Sequence, residues 1–273
     1  MKNNKPIFFI LVLLVLLLVF FVNMTFAGLF SGAVRLILRI VLTILFLSGY
    51  LLFNRKGKKS LAGLSIALMA VNLAFLVVSF FTNDLLGLSN ATPEGLALSK
   101  LSDSLIISTV VIVSLLVSGL RLRDIYLNKG KLLTGLITGI ISFLIMGFLA
   151  LNNPEQPISP EFLKTNIEWI LIFVFFNGFM EELIFRGIFL KPLNQFFKPG
   201  WSIVLTAIVF GVAHMQVTYT PDVLFFVGLT FVLGLIWGFL IHYTRSLLAS
   251  VLFHAGADLV IIMPVYASFG VAG

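Results

Sequence analysis

The chain has 273 residues, 60% of them hydrophobic and only 11% charged, with a mean hydropathy of +1.13 and a formal net charge of +7. Soluble domains carry about 25% charged residues, so a water-soluble globular class is excluded, and the absence of cysteine excludes disulfides, thiolate metal sites and a cysteine nucleophile. The basic residues are spread over short segments between apolar runs, which points to membrane topology and away from nucleic acid.

The N-terminus, MKNNKPIFFILVLLVLLLVFFVNMTFAG, has a basic start and a long apolar run. A signal peptide cut after Ala27 would fit loosely at Thr25-Phe26-Ala27, but the run from Ile7 to Val22 is long for a cleaved segment. It reads instead as an uncleaved first span. Further apolar stretches follow, and the predicted helices are 6–23, 33–53, 61–82, 104–120, 132–151, 167–189, 201–217, 223–243 and 247–269.

Loop charges orient these spans. One side collects Lys2, Lys5, Arg55, Lys56, Lys58, Lys59, Arg121, Arg123, Lys129, Lys131, Lys191, Lys198 and Arg245. The other holds only Lys100 and Lys164, with Asp84, Glu94, Asp103, Glu155, Glu161, Glu168 and Asp222. The positive-inside rule then puts the N-terminus in the cytosol. Arg35 and Arg39, at the outer start of the second span, are expected to snorkel to the interface. The fold class is therefore all-α, a polytopic transmembrane bundle of about eight or nine spans. Gly135 and Gly139, and again Gly234 and Gly238, make small-residue faces for close helix packing. The segment KPLNQFFKPGW after the sixth span reads as an amphipathic connector lying in the cytosolic interface.

Few ionisable groups fall inside the spans. Away from the span ends, the acids are Glu181, Glu182 and Asp258; among the histidines, His214 and His254, with His242 near a cytosolic end and structural. Helix rise puts Glu181 roughly 15 Å from the cytosolic loop, His214 about 20 Å and His254 about 13 Å, all near the midplane of a ~30 Å core. Scattered structural residues have no reason to agree in depth, whereas members of one site do.

Spacing separates their roles. Glu182 and Arg186 stand at i and i+4 and can neutralise each other along one helix face. Glu181 is turned about 100° away and keeps no such partner. A lone carboxylate in low dielectric is suited to general acid–base work. His254 and Asp258 are again i and i+4, a spacing that lets the carboxylate fix the ring's tautomer. Phe210 lies one turn before His214 and can pack beside it.

In order, the E-E-x-x-x-R of Glu181, Glu182 and Arg186, the F-x-x-x-H of Phe210 and His214, and the H-x-x-x-D of His254 and Asp258 resemble the CPBP family. These are the CAAX prenyl endopeptidases of the Ras-converting type and their bacterial relatives, among them bacteriocin self-immunity proteins. The resemblance divides the chain into N-terminal spans outside it, residues 1–100, and a catalytic transmembrane core, residues 101–273. It implies an intramembrane endopeptidase in which Glu181 activates a water shared with His214. His254 and Asp258 would stabilise the oxyanion, and Glu182, Arg186 and Phe210 would support the site. An ionised Asp cannot donate to an oxyanion as an amide can, so Asp258 is either protonated or only orients His254.

The signatures of other intramembrane proteases, H-E-x-x-H, G-x-S-G and G-x-G-D, are absent from the sequence. Glu181, His214, His254 and Asp258 would make an acceptable zinc set, but a metal-free glutamate mechanism is preferred and no cofactor is expected. Rival readings are an ion- or proton-coupled transporter and a non-catalytic immunity or regulatory protein on the same scaffold. The expected partners are the lipid bilayer and a peptide or membrane-associated protein substrate, cut at the cytosolic side of a bacterial plasma membrane. The Lys/Asn/Ile/Phe-rich composition points to a low-GC bacterium, and the resemblance to the family then implies peptide pheromones or bacteriocin precursors as substrates ahead of a prenylated protein.

Overall fold

The computed structural model of the chain describes residues 5–25, 27–81, 83–153, 158–217, 220 and 222–271. Lys2, Phe26 and Glu155, which figure in the topology and cleavage readings, lie outside them. Among the described residues nine longer helices follow one another: α1 (Lys5–Phe20), α2 (Gly32–Arg55), α3 (Lys59–Val78), α4 (Pro93–Val117), α5 (Leu132–Leu151), α6 (Pro160–Glu182), α7 (Pro199–Ala213), α8 (Val223–Thr244) and α9 (Leu248–Val271).

Seven of these helices are long and apolar enough to cross a bilayer, so the chain is a polytopic membrane bundle. The two others coincide with expected spans but differ in kind. α6 carries Glu161, Lys164, Glu168, Glu181 and Glu182 along its length. α7 has only 15 residues. The expected 104–120 span is also longer than its apolar core, because α4 begins at Pro93. Thr92 accepts a hydrogen bond from Gly95 N and Pro93 occupies the first turn, a start signal that extends the helix through polar sequence. Lys100 and Asp103, read as loop residues, therefore stand inside a helix, and the expected division at residue 100 falls within α4.

The helix starts follow the same chemistry elsewhere. Ser159 caps α6 through Phe162 N ahead of Pro160, and Asp222 caps α8 through Phe225 N. At the opposite end of the bundle, the α4–α5 connection is tied to the end of α8. Lys131 N donates to Thr244 O, and Ser246 Oγ donates to Asn128 O. Gly130 has φ +50°, and a Cβ there would lie 2.2 Å from Thr244 O, so only glycine fits this contact.

Small residues bring the helices of the site together. A Cβ on Gly139 would come within 2.7 Å of Leu252, so α5 packs tightly on α9. A Cβ on Gly238 would come within 2.8 Å of Ile203, and one on Gly234 within 3.2 Å of Ala207, which seats α8 against α7. The expected small-residue faces are thus contact faces. The connector after α6 places Phe196, Phe197 and Trp201 against Phe8 and Phe9 of α1, with ring centroids 5.0–5.8 Å apart.

Arg39 departs from expectation. It does not snorkel; it is 7% exposed. Its Nε donates to Asn23 Oδ1 at 2.9 Å and its Nη2 to Asn23 O at 3.3 Å, while Asn23 Nδ2 donates to Asn72 Oδ1 at 3.0 Å. The carbonyl of Asn23 is available because residues Phe21–Thr25 form a π-helical turn at the end of α1. One polar network thereby joins the first three helices. Paying the desolvation of a guanidinium becomes tolerable only when such acceptors are supplied.

Candidate active site

Five helices, α4 and α6–α9, line one cavity, and α6, α7 and α9 bring the candidate residues to it. α6 brings Asn177, Glu181 and Glu182, all buried. It lies close to α9 because Gly178 faces that backbone; a Cβ there would be 3.2 Å from Ala255 N and 3.3 Å from Val251 O. Immediately after Glu182 the chain widens into a π-helical turn, Leu183–Gly187, closed by Ile188 N donating to Leu183 O. Such turns concentrate at functional sites because they re-aim side chains without ending the helix.

α7 contributes His214 as the residue that caps its C-terminus. Fifteen residues rise only about 22 Å, short of a ~30 Å bilayer core. The helix therefore stops inside the bundle, and Met215 and Gln216, just past it, are exposed. α9 carries His254 and Asp258 one turn apart, both buried.

The structure brings Glu181, His214, His254 and Asp258 together. Glu181 Oε2 lies 3.5 Å from His254 Nε2 and 3.9 Å from His214 Nε2, and has no hydrogen-bond partner among the described protein atoms. His214 Nδ1 is 2.8 Å from Phe210 O. A carbonyl can only accept, so Nδ1 carries the proton and, in the neutral ring, Nε2 is an acceptor facing the carboxylate. Two acceptors 3.9 Å apart repel each other directly but can each accept a proton from one water between them.

Glu182 is more than the partner of Arg186. Its Oε1 accepts from Arg186 Nη1 at 2.5 Å and from His254 Nδ1 at 2.9 Å. Spacing placed Asp258 beside His254, and the structure adds a second acid on the other side of the ring. Asp258 sits one turn along the same helix and meets the opposite nitrogen, Nε2, at 3.5 Å. The Nδ1 side belongs to Glu182, approaching from another helix. Asp258 Oδ2 in turn accepts from Asn177 Nδ2 at 2.9 Å.

Aromatic rings fix the remaining degrees of freedom. Trp237 of α8 stacks on His254, with centroids 4.0 Å apart and planes 9° from parallel. Phe210 stands edge-on to His254 at 5.7 Å and beside His214 at 4.5 Å. The fully buried Arg186 guanidinium lies 4.3 Å above Phe210 and 5.2 Å from Trp237. Gly234 leaves room for it, since a Cβ there would be 2.8 Å from Arg186 Nη2. One carboxylate thus neutralises a charge that the bilayer would otherwise reject, and two ring faces pack against it.

Sequence reasoning passed over three residues of this site. Asn177 had a signal, since it lies one turn before Glu181 on the same helix face. Trp237 had none beyond its place between two packing glycines. Lys100 lines the same cavity from α4, although its position among polar residues suggested a loop.

The cavity has a volume of about 140 Å³ and runs from Glu181, His254 and Trp237 past Asn177, Thr230 and Asp258 to Phe173, Phe226 and Lys100. It extends toward the N-terminal ends of α4, α6 and α8. Behind Phe210 and Trp237, which line it, lies the buried Arg186 guanidinium. Among the described residues no three His, Asp or Glu side chains are disposed to hold a metal ion.

Fold and site together define a polytopic membrane helix bundle with a buried glutamate–histidine network around one internal cavity. Residues 163–260 match the Rce1-like type II CAAX prenyl endopeptidase family, and the chain carries a domain of that family over this segment. The matched segment spans nearly all of α6, all of α7 and α8, and α9 as far as Val260, and so includes Glu181, His214, His254 and Asp258. No curated protein matches the chain.

Proposed function

We propose that the chain is an intramembrane endopeptidase that hydrolyses a peptide or membrane-associated protein with a water activated by Glu181 and His214. The observation that carries this reading is the meeting of Glu181 Oε2 with His214 Nε2 at 3.9 Å and His254 Nε2 at 3.5 Å beside one cavity. A family domain over the same residues supports it.

The steps use the side chains alone. Water between Glu181 and His214 gives a proton to Glu181 as its oxygen attacks the scissile carbonyl carbon. The oxyanion forms within reach of His254; in the doubly protonated ring, Nδ1–H donates to Glu182, and Nε2–H, which faces Glu181 and Asp258 at 3.5 Å, turns to the oxyanion once Glu181 has taken the proton of the water. Glu181 then passes its proton to the leaving nitrogen as the C–N bond breaks. Asp258, held by Asn177, and Glu182, held by Arg186, position His254 from both sides.

The first three helices are assigned as accessory spans and the chain from α4 onward as the catalytic core, in a bacterial plasma membrane with the lysine-rich loops in the cytosol. In that orientation α6 and α7, which fall outside the seven apolar spans, complete the bundle as two further crossings or partial crossings. The cavity leads away from the lysine-rich side, so substrate enters from the outer half of the bilayer rather than from the cytosolic side that the sequence suggested.

The test is processing of candidate peptide precursors by purified wild type, Glu181→Gln and His214→Ala, each with and without chelator. Loss of cleavage in both variants and indifference to chelator are expected. Full activity in both variants would sink the peptidase reading; activity lost in chelator and restored by zinc would replace the metal-free chemistry.

A further inference from the structure

The cavity contains one cation whose role the proposed reaction does not use. Lys100 stands seven residues into α4, about 10 Å along the helix from Pro93, and its Nζ lies 5.4 Å from the centroid of the Phe173 ring. It lines the same cavity as Glu181, His214, His254 and Asp258. Lys100 stands in the polar first part of α4, ahead of its apolar run, and is half-buried where it meets the cavity.

No partner is supplied. Among the described residues no carboxylate comes within ion-pair distance of Lys100. Asp103, one turn on along the same helix, interacts with it only at longer range. The two carboxylates that share the cavity are turned to His254 instead, Glu181 at 3.5 Å and Asp258 at 3.5 Å. The ammonium rests on an aromatic face, a weak interaction that holds a cation without neutralising it.

The placement is also suited to a long ligand. Phe173 lies eight residues before Glu181 on α6, so the ammonium stands about 12 Å along the helix axis from the carboxylate. An extended chain covers ~3.3–3.6 Å per residue, so about three or four residues would bridge the distance.

We propose that Lys100 is the specificity-determining cation of this cavity and binds a carboxylate of the substrate, three or four residues from the bond presented to Glu181. The peptide nature of the ligand rests on the peptidase reading; the recognition of a carboxylate rests on the cavity itself. The carboxylate can come from the chain terminus or from an Asp or Glu side chain, and one experiment separates these sources.

Full-length protein carrying Glu181→Gln, in lipid nanodiscs, is presented with two mixed-sequence dodecapeptide pools, one with free C-termini and one amidated, and the retained peptides are sequenced. Retention of carboxylate-bearing peptides over neutral ones by roughly fivefold is expected, the ratio given by a single half-exposed ion pair. Preference for the free pool irrespective of composition identifies the terminus, and enrichment of Asp or Glu in both pools identifies the side chain. Adding K100Q should abolish the preference, and adding K100R should keep it, which controls for folding. Acid preference undiminished by K100Q, or no acid preference in the parent, would overturn the proposal. Acid-selective binding by a wild type that cleaves nothing would overturn the peptidase reading and leave Lys100 standing as a ligand-binding residue.

Discussion

His214 Nε2 faces the Glu181 carboxylate across 3.9 Å while the opposite ring nitrogen is committed to the carbonyl of Phe210. That commitment leaves the pair as two acceptors facing each other, and the proposed mechanism has them share one water, so that neither works alone. Glu181→Gln and His214→Ala should each lower kcat by about 10²–10⁴-fold. The double variant should be little worse than either single, because residues acting as a unit are non-additive. Multiplicative losses in steady-state kinetics would show two independent roles.

Glu182 joins Arg186 to His254, and Arg186 is wholly enclosed. Glu182→Met should destabilise the protein by about 3–5 kcal/mol, the typical cost of stranding a buried charge. Adding Arg186→Met removes the stranded charge and should restore most of that loss. Thermal unfolding in detergent measures both. Equal unfolding temperatures for the single and double variants would mean that the pair is not a charge-neutralising unit.

The Asn23–Arg39–Asn72 network lies among the first three helices, away from the cavity. Asn23→Ala removes the acceptor for Arg39 Nε and should cost about 1–3 kcal/mol. Turnover per folded molecule should stay unchanged. A loss of kcat at full stability would show instead that this network acts on the site.

At the lysine-rich end of the bundle, burial opposes ionisation of Asp124. The Arg121 N–H and the Lys191 ammonium, 3.5 Å from the carboxylate, outweigh it and hold the Asp124 carboxyl below its usual range. Lys191 also donates to Arg123 O. A carboxyl depressed in the folded state adds stability above its unfolded value, about 3.9, and loses it as pH falls through the folded value. Asp124→Asn should therefore unfold at a slightly lower temperature at neutral pH, by an increment typical of a surface pair, and the two curves should converge in acid. A constant gap at all pH values would exclude an electrostatic cause.

The legibility of this site depended on how local its geometry was. Glu182 with Arg186 and His254 with Asp258 are neighbours on one helix, so the 3.6-residue period exposes them. Agreement in depth of Glu181, His214 and His254 was also readable, because rise per residue is fixed. What spacing could not reveal was that an acid from another helix also holds the ring. Asp258 is the sequence neighbour of His254, but Glu182 makes the shorter contact, 2.9 Å against 3.5 Å.

Apolar run lengths, loop charges and motif order are sums over local sequence, and they determined a polytopic helical membrane protein with Glu181, His214, His254 and Asp258 as the candidate centre. The contacts of Asn177 with Asp258 and of Trp237 with His254 join residues far apart in the chain, and no periodicity encodes them. Only the tertiary structure could also show that Lys100, Phe173 and Phe226 line the same cavity as the four candidate residues, because they come from other helices or distant turns. Helix periodicity is a property of consecutive residues. Which polar group satisfies which other one is settled only when the helices pack and water is excluded.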